Sequence, residues 1–427
     1  MATDKHERRS RRRKLLGAGA RSLGRSVLHT VPGYDRAKSW QKTGQDWFDT
    51  LGDLKGAAMK LGQIASQYRD FLPPEVAEQL ARLQRDADPW PFEQLAPVLD
   101  SQWTTSQFDQ VAHIDKQAMA AASIGQVHRG RLVDGSEVAI KIRYPGVADA
   151  VDADIANLAR LFKMARFIPA RGRDIDAVLA ELRERFIEET DYRQELAHLN
   201  ELRALALPGY VLPEPVPALC NEAVLVTSLL PSDPIDQAGP EIGQTISEAI
   251  CLQVFTHGIV HADPHPGNFG ITADRRIALY DFGCIKRFDV ATRDAMRAVI
   301  DAGLRSDWAA MHTAMERLGV VPVGSWHAHK AIYTDVYRRE TRVVLDRLEK
   351  HSAYTFTDDG LLEAIRREIR QSLRHWRHFN AAPDLVFLMR TLSGLYWILR
   401  RVDAEATIYT LLEDIADGRF GPENKHE

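Results

Sequence analysis

An α+β fold of two lobes, mostly α overall and with an N-terminal helical extension, is predicted by three features. The first is Val138-Ala139-Ile140-Lys141, a lysine inside an apolar strand pattern. The second is the run His261-Ala262-Asp263-Pro264-His265-Pro266-Gly267-Asn268, which sets an Asp and an Asn five residues apart. The third is Asp281-Phe282-Gly283, thirteen residues after Asn268. Protein-kinase-like folds present a phosphate-binding lysine, a catalytic carboxylate and two magnesium ligands in this order. Together the parts are far more specific than any one alone, and they predict a site for ATP with Mg²⁺.

Composition permits this reading without adding to it. The chain has 427 residues, 45% apolar and 27% charged, enough for a large core and two or three structural units. A net charge of −4 carries no nucleic-acid signal. Cys220, Cys251 and Cys284 have neither metal-ligand spacing nor the number for a disulfide framework, which favours a reducing compartment. No run of 18 apolar residues exists; the nearest, 385–399, is interrupted by Arg390. Residues 1–39 read as a basic arm, with seven Lys and Arg between Lys5 and Lys14 opposing Asp4 and Glu7. Such an arm is either solvated or drawn to anionic lipid, each basic residue contributing about 1 kcal/mol near the surface. The two acids argue against a mitochondrial transit peptide.

Residues 40–105 form the expected extension. Leu51, Leu54, Ala58, Leu61 and Ile64 recur at helical spacing, Pro73-Pro74 interrupts them, and a second helix follows over 74–83. Pro89, Pro91 and Pro97 suggest a punctuated connection. A strand-rich lobe follows over 106–230, with strands at 108–114, 125–132 and 137–143. Asp134-Gly135 is the turn between the last two. A long helical pattern covers 174–205, and 211–230 suits two strands and a linker. Residues 231–427 read as helical apart from short strands at 269–271 and 277–280. No internal repeat is evident.

Before Lys141, where a kinase carries a glycine-rich phosphate loop, stand Ala120-Ala121-Ala122-Ser123-Ile124-Gly125-Gln126-Val127. Alanine forbids some backbone conformations open to glycine and favours a helical turn, so this reads as a modified nucleotide loop. With Lys60-Leu61-Gly62-Gln63, Glu189-Thr190-Asp191 and the 261–268 run, the chain resembles the UbiB family over roughly residues 45–400. These are atypical protein-kinase-like proteins of ubiquinone and other isoprenoid-lipid metabolism. Some bacterial members carry C-terminal membrane helices, and mitochondrial members a longer N-terminal extension with a membrane segment; the sequence predicts neither.

Lys141 needs a buried carboxylate partner. Glu189 and Glu195 lie 600° apart along a helix and point about 120° from one another, so both cannot face it. The resemblance implies that Glu195 pairs with Lys141, while Glu189 and Asp191 face the helix bearing Lys60 and Gln63. It also implies that this helix docks over the active-site mouth. Asp263 is expected to be the catalytic carboxylate, with Asn268 and Asp281 as magnesium ligands. His265 occupies the usual position of a lysine, and His261 shapes the loop. Ala139 and the 226–229 stretch, with Thr227, are expected to line an adenine pocket. No Ala-Pro-Glu follows Gly283, so the shelf for a protein substrate is missing. The expected activity is that of an atypical kinase or ATPase acting on isoprenoid-lipid metabolism, with ATP or ADP and a quinone-precursor lipid as partners. The expected location is cytoplasmic, peripheral on a membrane. The alternative is a nucleotide-gated lipid-binding scaffold or chaperone.

Overall fold

The computed structural model describes residues 89–122, 124–148, 190–357, 360–380 and 382–421, with positions 42, 151, 155, 156, 183 and 187. Lys60, Gln63, Ser123 and Glu189 lie outside the described residues, as do the basic arm and the helical pattern at 51–83. The chain divides into two units. The first is Met1–Leu196 with Glu214–Leu229, and the second is Ala197–Pro213 with Leu230–Glu427.

In the first unit the prolines do not produce the punctuated connection that they suggest. Helix α1 (Phe92–Gln102) forms instead, with Pro91 just before its first turn, where a missing N–H is harmless. Pro97 lies inside the helix, and burial of Leu95 and Leu99 offsets the lost hydrogen bond. Helix α2 is a single turn (Thr105–Phe108) capped by Thr104 and Gln107, so the first strand begins later than expected. Three antiparallel strands follow, β1 (Val111–Ala122), β2 (Gly125–Leu132) and β3 (Glu137–Arg143). The β2–β3 turn falls at Asp134-Gly135: Gly135 takes φ +90°, and Asp134 Oδ1 accepts from Ser136 N at 2.8 Å. The alanine run is strand rather than helical turn. Ala120, Ala121 and Ala122 pair with Val127, Gln126 and Gly125. Alanine's helix preference is worth less than 1 kcal/mol per residue, and the neighbouring β2 offers ladder partners.

Helix α3 (Tyr192–Ala204) begins in the first unit and continues into the second. The chain next lays down β4 (Tyr210–Val211) in the second unit, then returns as β5 (Val224–Ser228), which pairs with β3. The first sheet therefore runs β1-β2-β3-β5.

The second unit holds β6 (Asp233–Pro234), helix α4 (Ile242–Cys251), β7 (Ile259–His261), β8 (Phe269–Ile271), β9 (Ile277–Leu279) and β10 (Ile285–Arg287). Strands β8 and β9 fall where the sequence reading puts short strands, whereas β7 and β10, a separate antiparallel pair, are too short to show in the sequence. Helices α5 (Val290–Arg305), α6 (Trp308–Arg317) and α7 (Trp326–Leu345) follow, then β11 (Tyr354–Thr355), α8 (Leu361–Ser372), α9 (Pro383–Arg401), β12 (Glu405–Ala406) and α10 (Ile408–Ala416). The core of this unit closes around the β8–β9 hairpin. Phe269, Ile277 and Leu279 pack with Leu199 and Leu202 of α3 and with Ile398 of α9. Among the described residues no helix is long and apolar enough to cross a membrane.

Candidate active site

Each unit carries part of the predicted machinery. In β3 the alternation buries Val138, Ile140 and Ile142, at 1%, 0% and 0% exposed, and turns Ala139 and Lys141 to the opposite face. Cross-strand pairing adds Val127, opposite Lys141, and Thr227, opposite Ala139, to that face. Ala120 and Ala122 share the face through their pairing with Val127 and Gly125. Ala121, paired with Gln126, lies on the other one. There Gln126 is fully buried, exchanging hydrogen bonds with Trp90 N and O and donating to His128.

Lys141 Nζ donates to both carboxylate oxygens of Glu195, at 2.6 and 2.8 Å. Its side chain is 14% exposed and that of Glu195 6%, so the pair is held away from bulk water. Asp191 is engaged by a neighbour: Arg193 donates to it through Nε at 2.9 Å and a terminal nitrogen at 2.8 Å. That guanidinium holds the Asp191 carboxyl below the usual carboxylate range. The expected partners of Asp191 on the Lys60 helix lie outside the described residues.

In the second unit two short ladders fix the chemical residues. Helix α4 widens over Leu252–His257 to hydrogen bonds five residues apart and ends at Gly258, whose φ is +71°. This widened turn holds Gln253, whose Oε1 accepts the His261 N–H at 2.8 Å. Pairing of His261 with Ile285, and of Ala262 N with Cys284 O, then places Asp263 at the end of the β7–β10 ladder. The β8–β9 ladder pairs Phe269 with Leu279 and extends one step, because Tyr280 N donates to Asn268 O at 3.1 Å. Asn268 and Asp281 thus lie at one end of a single hairpin.

The Asn268 amide donates to Asp263 through its backbone oxygen and through Oδ2, both at 3.0 Å. Its NH₂ is thereby directed at Asp263 and its oxygen is left to face elsewhere. Asp281 Oδ1 accepts from Gly283 N at 2.8 Å. An amide oxygen and a carboxylate are hard donors suited to magnesium, which binds through few protein ligands and keeps several waters. Among the described residues no group of three or more His, Cys, Asp or Glu forms a denser metal site.

His261 is buried, and its Nε2 lies 2.7 Å from the Asp281 carbonyl, to which it must donate. Burial lowers its pKa despite the neighbouring Asp263 and Asp281, so it is a neutral strut tying the two motifs. His265 Nδ1 accepts from Gly267 N at 3.1 Å and shapes the loop.

Several supporting residues have weak sequence signals. His198 Nδ1 donates to Phe282 O at 2.9 Å. The Tyr280 hydroxyl hydrogen-bonds Ser232 across Gly270, where a Cβ would meet both side chains. Arg390, the interruption in the apolar run at 385–399, donates to Ala262 O at 3.2 Å. A Cβ on Gly394 would lie 2.4 Å from Pro264 Cγ, so α9 closely backs the loop carrying Asp263. Only the lone arginine stood out in the sequence.

Strand lysine with helix glutamate, followed by Asp, Asn and Asp-Phe-Gly on two ladders, defines the class of atypical protein-kinase-like proteins. The match to the ABC1 atypical kinase-like domain over residues 82–315 places the chain in that family. Curated relatives include the rat "Atypical kinase COQ8B, mitochondrial", 29% identical over 86% of this chain and 70% of its own length. The Caenorhabditis elegans "Atypical kinase coq-8, mitochondrial" is 27% identical over 86% of this chain and 50% of that protein. The Saccharomyces cerevisiae "Atypical kinase COQ8, mitochondrial" is 27% identical over 85% and 74%. The chain therefore spans from half to about three quarters of these relatives. Among solved structures, Rv3197 of Mycobacterium tuberculosis in complex with erythromycin superposes with a TM-score of 0.57 at 25% identity. It covers 91% of this chain and 98% of its own.

Proposed function

We propose that this protein binds ATP with Mg²⁺ and transfers the γ-phosphoryl group to a small or lipid hydroxyl in isoprenoid-lipid metabolism of the ubiquinone type. The observation that carries the reading is the hydrogen bond from the Asn268 amide to Asp263 Oδ2, 3.0 Å, at the end of the hairpin that leads to Asp281. It supports one cluster with two duties. Asp263 orients the acceptor hydroxyl and takes its proton as the new P–O bond forms and the bond to the ADP oxygen breaks. Asn268 and Asp281 hold the magnesium, which neutralises phosphate charge when bound. Lys141, positioned by Glu195, reaches the α- and β-phosphates. Val127, Ala139 and Thr227 line the adenine side, and Ala120, Ala122 and Ser123 form the adjacent hairpin edge. Lys60 and Gln63 of the extension, facing Glu189 and Asp191, are assigned to limiting access for protein substrates, so transfer to proteins is expected to be weak. The basic arm is assigned to anionic lipid at a membrane surface.

His265 favours a second reading. It stands where kinases usually place a cationic lysine, and its Nδ1 is used as an acceptor. A loop without that fixed charge suits a nucleotide-gated lipid scaffold that hydrolyses ATP slowly. Incubation with ATP, Mg²⁺ and a lipid extract distinguishes the readings: phosphorylated lipid supports transfer, and free phosphate alone supports the scaffold. Asp281→Asn should abolish most of the Mg²⁺-dependent thermal shift given by ATP, and an unchanged shift would refute the ligand assignment.

A further inference from the structure

We propose that Tyr192 is a positioning residue for Lys141, that its ring face holds the ammonium in place, and that Gly125 serves the close packing of Tyr192 and the β3 backbone rather than phosphate. The proposal rests on the assignment of Lys141 to nucleotide phosphates and deepens it.

Tyr192 is the first residue of α3 and is 1% exposed. Its ring centroid lies 5.2 Å from Lys141 Nζ, within cation–π range. Glu195, three residues later on the same helix, shares its face and binds the same ammonium. Lys141 is thus gripped on two sides by one turn of a single helix, by a carboxylate and by an aromatic face. The helix start is itself anchored. Tyr192 N donates to Glu222 O at 3.1 Å, and Arg143 donates to Glu222 O at 3.0 Å and to Thr190 O.

Gly125 completes the argument. A Cβ there would lie 2.5 Å from the Tyr192 hydroxyl and 2.3 Å from Ile142 O. Its backbone is ordinary strand, paired with Arg143 and Ala122, and its φ is not positive. Conformational freedom therefore does not explain the glycine, whereas the close approach of the Ile142 carbonyl and the Tyr192 hydroxyl does. The glycine of the phosphate hairpin serves the lysine that follows it. Both groups ride on one helix turn, so the ammonium is positioned by the placement of that turn as a unit.

The test uses the full chain with lysine carrying ¹³C at Cε, the Lys141 signal being assigned by Lys141→Arg. Stacking on Tyr192 should move the Lys141 Hε resonance upfield. Tyr192→Leu should return it to the position of solvent-exposed lysines and weaken MgATP affinity by about tenfold, the loss typical of a desolvated cation–π contact. Tyr192→Phe keeps the ring and should recover the shift and most of the affinity. Should Tyr192→Leu fail to fold, phenylalanines with increasing ring fluorination at position 192 replace it. They keep the shape and weaken the quadrupole, so affinity should fall stepwise. An unmoved Lys141 resonance in Tyr192→Leu, a Tyr192→Phe as defective as Tyr192→Leu, or a flat fluorination series would overturn the proposal. A wild type that shows the shift and binds no ATP would overturn the nucleotide reading and leave the positioning role standing.

Discussion

At the level of single residues, Gly125 and His128 show how little space this sheet leaves. Gly125→Ala must push either the Ile142 carbonyl or Tyr192, and the first is backbone. Overpacking of this kind costs about 1–3 kcal/mol, so chemical denaturation should reveal a loss of that size. A variant as stable as the wild type would mean that the hairpin rearranges freely. His128 is fully buried, its Nδ1 donating to Asp115 O at 2.7 Å and its Nε2 accepting from Gln126 at 2.9 Å. Burial lowers its pKa, because a second ring proton would face the Gln126 amide hydrogens. The unfolded chain, with a histidine pKa of about 6.5, takes up a proton that the folded chain refuses. Stability should therefore be full above that value and fall as pH drops below it. Urea titrations at pH 7.5 and 5.5 should show the fall, and it should be smaller in His128→Asn.

At the level of elements, the loop carrying Asp263 is held by the ends of ladders and by the back of one helix. Its own sequence does not hold it. Gly394 in α9 meets Pro264 so closely that a methyl group there must displace the loop carrying Asp263. Gly394→Ala should lower ATP turnover by about ten- to a hundredfold, since small displacements of catalytic groups have effects of that order. Steady-state phosphate release measures it; full turnover would show that α9 does not set the loop position. The alanine strand offers a complementary case. Ala122 pairs with Gly125, so Ala122→Gly should weaken β1 by about 0.5–1 kcal/mol through added backbone entropy. A lowered melting temperature together with altered preference between ATP and ADP would tie the hairpin edge to nucleotide.

At the level of the whole molecule, charge is unevenly placed along a chain whose net charge is −4. The basic residues before position 15 form its densest positive run. Removing residues 1–14 should reduce sedimentation with anionic liposomes, and the difference should shrink in high salt, where exposed charges are screened. Equal sedimentation of both forms would leave the arm a solvated tail.

The sequence by itself determined the family and the order of its motifs. Lys141, Asp263, Asn268 and Asp281 belong to motifs whose spacing has meaning without coordinates. The hairpin at 125–143 follows from its strand patterns and Asp134-Gly135, and short strands are legible at 269–271 and 277–280. Tertiary structure decided what local preference could not. Alanines with a helix bias became strand because β2 lay alongside, and Pro97 stayed inside a helix because Leu95 and Leu99 were buried. Helical geometry ruled out both glutamates facing Lys141 without choosing between them; the strand-to-helix packing sets Glu195 at 2.6 Å. Tyr192, Gln253, His198 and Gly394 act through neighbours from 51 to 130 residues away or, for Gln253, through a widened helix turn. Such contacts leave no periodic trace in a sequence, because hydrophobic patterning encodes which face of an element is buried and not what that face will meet.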